Sequence, residues 1–245
     1  MQPSSDPRVI RQAPAAAILG LLVAIGLIGA AWLGGQSLLA FKQLDRTVEL
    51  KGLSEREVPA NLAIWPISFA EADNDVGNLS RTTEPKRTRL VEFLKQAGFK
   101  PEEIGSSAPS VVDKQAREYG GDERSPFRYT GRATVTVYTA DVARVRATMN
   151  RLGELGREGI AIGGDHGAQT QFLFTGLNAI KPEMIEEATR NARESATKFA
   201  NDSGSHLGKI RRASQGQFSI DDRDASTPHI KKVRVVSTVE YYLAD

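Results

Sequence analysis

The groups best suited to hold a metal in this 245-residue chain are its three histidines, His166, His206 and His229, and the acidic run Asp221-Asp222-Arg223-Asp224. A helical zinc site sets two histidines four residues apart, so that both project from one face. No pair here has that spacing, and surface or capping roles are expected. In the acidic run, Asp221 and Asp224 fall within one turn and offer the hard oxygens that calcium takes. The fixed ligand spacing of a calcium loop is missing, so a solvated hairpin turn is expected there. The chain has no cysteine, which removes thiolate nucleophiles, disulfides and cysteine-bound metal together.

Other runs invite a chemical reading and fall short of it. Gly163-Gly164-Asp165-His166-Gly167 has the glycines of a phosphate loop but neither the following Lys-Ser/Thr nor a Gly-x-Gly-x-x-Gly spacing. Ser203-Gly204-Ser205 is not a nucleophile elbow, which needs Gly-x-Ser-x-Gly, and reads as a helix stop. No catalytic, cofactor-binding or metal-binding residue is therefore assigned, no cofactor is implied, and the chain is not read as an enzyme. The alternative is a metal- or ligand-dependent detoxifying activity that uses the 221–224 run and a histidine. Two basic clusters, Lys209-Arg211-Arg212 and Lys231-Lys232-Arg234, belong on solvated strand faces, where cations also discourage edge-to-edge aggregation. An anionic surface is their functional counterpart. With a formal net charge of only +2, the chain lacks the surplus that nucleic acid requires.

The elements that must carry these groups begin with an apolar run. Residues 13–33, APAAAILGLLVAIGLIGAAWL, contain no charge, and at about 1.5 Å per helical residue they reach about 30 Å, a bilayer's hydrocarbon thickness. The organisation expected is a short cytoplasmic tail (1–12), a transmembrane anchor or signal peptide (13–35), a linker (36–46) and one soluble domain (47–245). The run is longer than a usual signal core, which favours an uncleaved single-pass anchor. The short tail favours an N-in orientation, and the domain is expected across the inner membrane, in the periplasm.

Within the domain, 47–53 and 62–69 read as strands joined by a charged turn, Ser54-Glu55-Arg56-Glu57, with Pro59. A helix over 86–97 presents Leu90, Phe93, Leu94 and Ala97 on one face. Pro85 is either its first residue or a kink in a longer helix starting near Asn74. Strands at 104–112 and 127–139 bracket a polar loop, and in the second Ala133, Val135 and Val137 alternate with polar residues, the period of a half-buried strand. Asp141 is a candidate N-cap for a helix over 142–155. A strand at 170–177 follows. Pro182 then opens a long helix whose buried face is Ile185, Ala188, Ala192, Ala196, Phe199 and Ala200, with Gly204 and Gly208 as terminators. The alanines let it lie close on a sheet. Strands at 210–220 and 231–243 finish the chain. The order ββα-ββα-βα-ββ describes an α+β fold, an antiparallel sheet with packed helices. Tyr119, Phe127, Tyr129, Tyr138, Tyr241 and Tyr242 fall in or beside hairpins. Tyr241 and Tyr242 take opposite faces of one strand, so one of them must be covered by another element or subunit.

Three runs carry a family resemblance: GLNAIKPEMIEEATRNARESATKFANDSGSHLGKIRRASQGQFSIDDRD at 176–224, HIKKVRVVSTVEYYLAD at 229–245 and GLSEREVPANLAIWPISF at 52–69. Together they resemble the SIMPL-domain family across the whole soluble part. The resemblance implies an exported bacterial protein with an α+β fold, some of whose relatives form large ring-like oligomers and some of which are linked to stress responses. It supplies no catalytic residues. Family openings often place an Asp after the Pro, where Ala60-Asn61 stand here. The expectation is a membrane-anchored envelope protein acting by binding or by self-assembly as a homo-oligomer, with a ring-shaped conduit as its structural extreme.

Overall fold

The computed structural model describes residues 12–43, 46–116, 126–163 and 169–244. It is α+β, with two antiparallel sheets. Helix α1 (Gln12–Gln43) contains a window, Ala17–Gly34, of mean hydropathy 2.3 with none of it buried, long and apolar enough to cross a membrane as an anchor or signal segment. The helix runs on past residue 35, through positions read as linker, because nothing from Gln36 to Gln43 breaks it.

The chain divides into two units. One is built from Met1–Leu53, Ile185–Gly216 and Val236–Asp245, the other from Ser54–Met184 and Gln217–Val235. The second unit holds the whole of a five-stranded sheet. Strand β2 (Leu62–Asp73) pairs antiparallel with β5 (Tyr129–Thr139) along its whole length, Ala63 opposite Thr139 and Asp73 opposite Tyr129. Two short strands, β3 (Ile104–Ser106) and β4 (Ser110–Asp113), pair with the other edge of β5. They replace the single strand expected at 104–112, which breaks at Ser107-Ala108-Pro109, since proline cannot donate to a ladder. Strand β6 (Gln171–Leu173) meets only Leu62–Ile64 of β2 and stops short of the strand expected at 170–177. Its brevity explains how Pro66 sits in mid-sheet. Ser68 O accepts Gly163 N–H on the β6 side, so Pro66, two residues earlier, turns its missing donor to that same side, beyond the end of β6.

Helix α2 (Val76–Gln96) covers this sheet. It starts at Asp75, whose side chain accepts Asn78 N–H at 2.7 Å, and it carries Pro85 inside it, the longer of the two forms expected. Leu90, Phe93 and Leu94 bury against Trp65, Ile67, Phe69, Val135 and Val137 in one core. Asp141 caps α3 (Val142–Met149), accepting Arg144 N–H at 2.8 Å. The helix expected through 155 divides after Asn150, and α4 (Gly153–Arg157) follows as a separate turn.

In the first unit the 185–202 part of α5 (Leu177–Asp202) lies against the 47–53 part of β1 (Thr47–Pro59) and the 236–244 part of β9 (Ile230–Ala244), and β7 (His206–Gln215) pairs with that part of β9; β8 (Ser219–Asp222) pairs with the 231–234 part of β9 in the second unit. Ser54 to Glu57 are not a turn. Alternate burial continues through them, Ser54 in and Glu55 and Glu57 out, so β1 runs to Pro59 and the reversal falls at Ala60-Asn61. Helix α5 starts about one turn before Pro182, at Leu177. Its buried stripe is every fourth residue, Met184, Ala188, Ala192, Ala196 and Ala200. Phe199 falls off that narrow stripe and is 49% exposed, not core as expected. The helix ends as predicted at Gly204, with φ +68°. Its amide donates to Asn201 O and that of Ser205 to Ala200 O, a Schellman closure. Gly208 is instead a strand residue in β7, where a Cβ would meet Tyr242 O at 2.8 Å. The strand expected at 210–220 is split into β7 and β8 at Gly216.

Tyr241 is the covered tyrosine, buried with Val48, Ala192, Ala196 and Val239. Tyr242 on the other face stays part-exposed beside the Arg211 guanidinium. The Tyr241 hydroxyl has no hydrogen-bond partner among the described residues. Tyr241→Phe is accordingly expected to raise stability by about 1 kcal/mol, read as a higher urea midpoint, because it deletes an unpaired buried polar atom and keeps the ring.

Candidate functional site: an open cleft beside His229

The turn from β1 to β2 is held from two sides. Ala60 N–H donates to His229 O at 2.8 Å, and Asn61 N–H donates to Leu173 O at 2.9 Å. The Asn61 side chain donates to Thr175 Oγ1 at 3.0 Å and accepts Thr175 N–H at 2.9 Å. Ala60 and Asn61 therefore fasten a turn. Between that turn and the start of α3 lies an open cleft of about 450 Å³, lined by Pro59, Ala60, Ala140, Asp141, Val142, Ala143, Arg146 and His229.

The walls are apolar except for three side chains. Asp141 is committed, capping α3 and pairing with Arg144 at 2.9 Å. Arg146 is exposed and, among the described residues, has neither an ion-pair nor a hydrogen-bond partner. His229 rests edge-on against Phe172, ring centroids 6.2 Å apart, and its ring nitrogens have no protein hydrogen bond among the described residues. Burial, then the charges of Arg146 and Arg223, hold its pKa below the usual histidine value, with Asp224 opposing them. A depressed histidine pKa leaves the ring neutral near pH 7. The cleft thus offers one free cation, one neutral imidazole and apolar walls, a set suited to recognition.

The groups singled out in the sequence fall elsewhere or stand alone. His166, with Gly164 to Gly167, lies outside the described residues, as does Tyr119. His206 opens β7 in the first unit, and His229 belongs to the second. Gly163 lies at φ +115°, its amide donating to Ser68 O. The acidic run is taken apart by its surroundings. Asp221 and Asp222 lie in β8, and Asp222 pairs with the buried Lys231. Asp224 accepts from Ser226 N and Thr227 N at 2.8 Å, from the Thr227 hydroxyl and from Arg223 at 2.9 Å. Those bonds, Thr227 first and then Arg223, lower its pKa to about 2. A depressed carboxylate stabilises the fold above its unfolded pKa near 4 and loses that contribution as pH falls towards 2. Among the described residues, no three of His, Asp and Glu converge as a metal site needs. Three of the six residues in the basic clusters are paired within the protein: Arg211 with Glu240 at 2.9 Å, Lys231 with Asp222 and Lys232 with Glu55 at 2.8 Å.

Sequence reasoning missed the cleft. Its parts come from positions 59–60, 140–146 and 229, and no spacing rule joins them.

The family model for SIMPL, described as a protein of unknown function (DUF541), matches residues 48–241, almost all of the chain after α1. A search of curated proteins returns no match.

Proposed function

The chain belongs to the SIMPL family, and on that premise we propose that it is a single-pass inner-membrane protein whose periplasmic domain works by assembling with copies of itself, in a role tied to envelope stress. Helix α1 is the anchor in this reading. The observation that carries it is the open edge of the β1-β9-β7 sheet: every residue of β7 except Leu207 is exposed, and among the described residues β7 pairs only with β9. A ten-residue strand with one side unpaired is a template for another strand. Lys209 and Arg212 oppose pairing of one β7 with another, whereas β1, the opposite edge, balances Glu49 with Lys51 and presents no surplus of cations. Joining β7 to β1 of the next copy is head-to-tail, the geometry that closes into rings.

Ladder geometry supplies the test. Gly216 N–H donates to Val236 O at 2.8 Å. By alternation Ser214 and Arg212 also face β9, while Ala213 and Gln215 turn their amides to the open edge. Ala213→Pro removes one outward donor and no ladder bond. Full-length protein in non-ionic detergent, measured by light scattering, should have a protein mass several times 26.6 kDa. Ala213→Pro should fall to the monomer with its circular dichroism unchanged. A monomeric wild type at every concentration contradicts assembly, and an Ala213→Pro variant that still assembles contradicts this edge as its route.

A further inference from the structure

We propose that the cleft between the β1–β2 turn and α3 binds a small carboxylate with an apolar body, its charge on Arg146 and its body against Pro59, Ala60 and Val142. The unpaired state of Arg146 is the starting observation. Its neighbour on the same helix, Arg144, is paired to Asp141 and donates to Gly98 O at 2.7 Å, and Arg223 is paired to Asp224 and Glu57. Arg146 alone among these three is left over, at the mouth of a cleft of about 450 Å³ with otherwise apolar walls. A guanidinium fork meets both oxygens of a carboxylate at once. The first turn of α3 is already capped by Asp141, so the anion's charge is met by Arg146 rather than by backbone amides.

The rest of the cleft selects among anions. Asp141 on its rim repels a second negative charge, which disfavours a phosphate dianion. Pro59, Ala60, Ala140, Val142 and Ala143 favour an acid that carries a few methylene groups. His229 completes the site as the one uncommitted polar ring. The charged groups acting on it are Arg146 from α3, and Arg223 and Asp224 from the turn before β9. A carboxylate set beside it offsets the two arginines, so binding takes up a proton on His229 and tightens as pH falls.

Butyrate is the probe, with inorganic phosphate and butanol as comparisons, added to the full-length protein in non-ionic detergent. The His229 imidazole resonance, assigned by its loss in His229→Gln, reports occupancy. Butyrate should shift it saturably, raise its pKa and bind more tightly at pH 6 than at pH 8. Butanol should leave it unmoved, and phosphate should act more weakly than butyrate. Arg146→Gln, an exposed substitution that leaves the core intact, should weaken butyrate about tenfold. Equal binding by wild type and Arg146→Gln, an equal response to phosphate, or no saturable shift would each overturn the proposal. The site does not depend on assembly, so monomeric Ala213→Pro should bind butyrate as the wild type does.

Discussion

Replacing Gly52 by alanine is expected to destabilise the protein by about 3 kcal/mol or more, measured as a fall in urea midpoint. A Cβ at Gly52 would lie 1.8 Å from the Ala188 carbonyl oxygen and 2.4 Å from the Ala192 amide nitrogen. Both atoms belong to the backbone of α5, so no side-chain rotation relieves the overlap. The helix has to move off β1. That motion opens the cluster of Val48, Ala192, Ala196, Val239 and Tyr241, whose stripe of alanines exists to permit close approach. Gly153→Ala is the matching control, because a Cβ there meets nothing within 4 Å. It should be neutral or slightly stabilising through the unfolded chain. Similar midpoints for the two variants would show that α5 does not pack on β1 in this way.

Phe69→Ala should cost about 3–5 kcal/mol. Phe69 is 1% exposed, lies opposite Ala133 in the β2–β5 ladder, bridges to Ile162 and belongs to the core under α2. Truncation removes a ring from the centre of a close-packed layer, and the surrounding strands are hydrogen-bonded too rigidly to collapse onto the space. Tyr138 on β5 is 57% exposed, and Tyr138→Ala should change stability by about 0.5 kcal/mol or less. Equal losses at 69 and 138 would contradict the assignment of the inner face.

Where local pattern and tertiary packing agree, the elements are legible from residues alone. Ala133, Val135 and Val137 alternate because one face of β5 is buried, and the alanines from 188 to 200 mark the helix that lies close on β1. The same reasoning misplaced boundaries wherever a partner strand or helix overrode local chemistry. Ser54 to Glu57 look like a turn by composition, yet pairing with β9 draws β1 on to Pro59. Pro182 looks like a first helical residue, yet α5 starts about a turn earlier. Phe199 suits a buried face by hydrophobicity but misses the four-residue stripe. Gly208 looks like a stop and serves instead where β7 passes close to the Tyr242 backbone. The cleft was illegible for another reason. Arg146 and His229 are individually ordinary, and only the fold brings them together and leaves the arginine unpaired.

The central claim, assembly through the open edge of β7, is tested most directly by hydrogen exchange at the amides of Ala213 and Gln215 in full-length protein at two concentrations. These two amides face away from β9 and have no partner among the described residues of one copy. Protection that rises with concentration at Ala213 and Gln215, while Ser214 stays protected throughout by β9, is the predicted result. Fast exchange at both amides at every concentration would contradict the account.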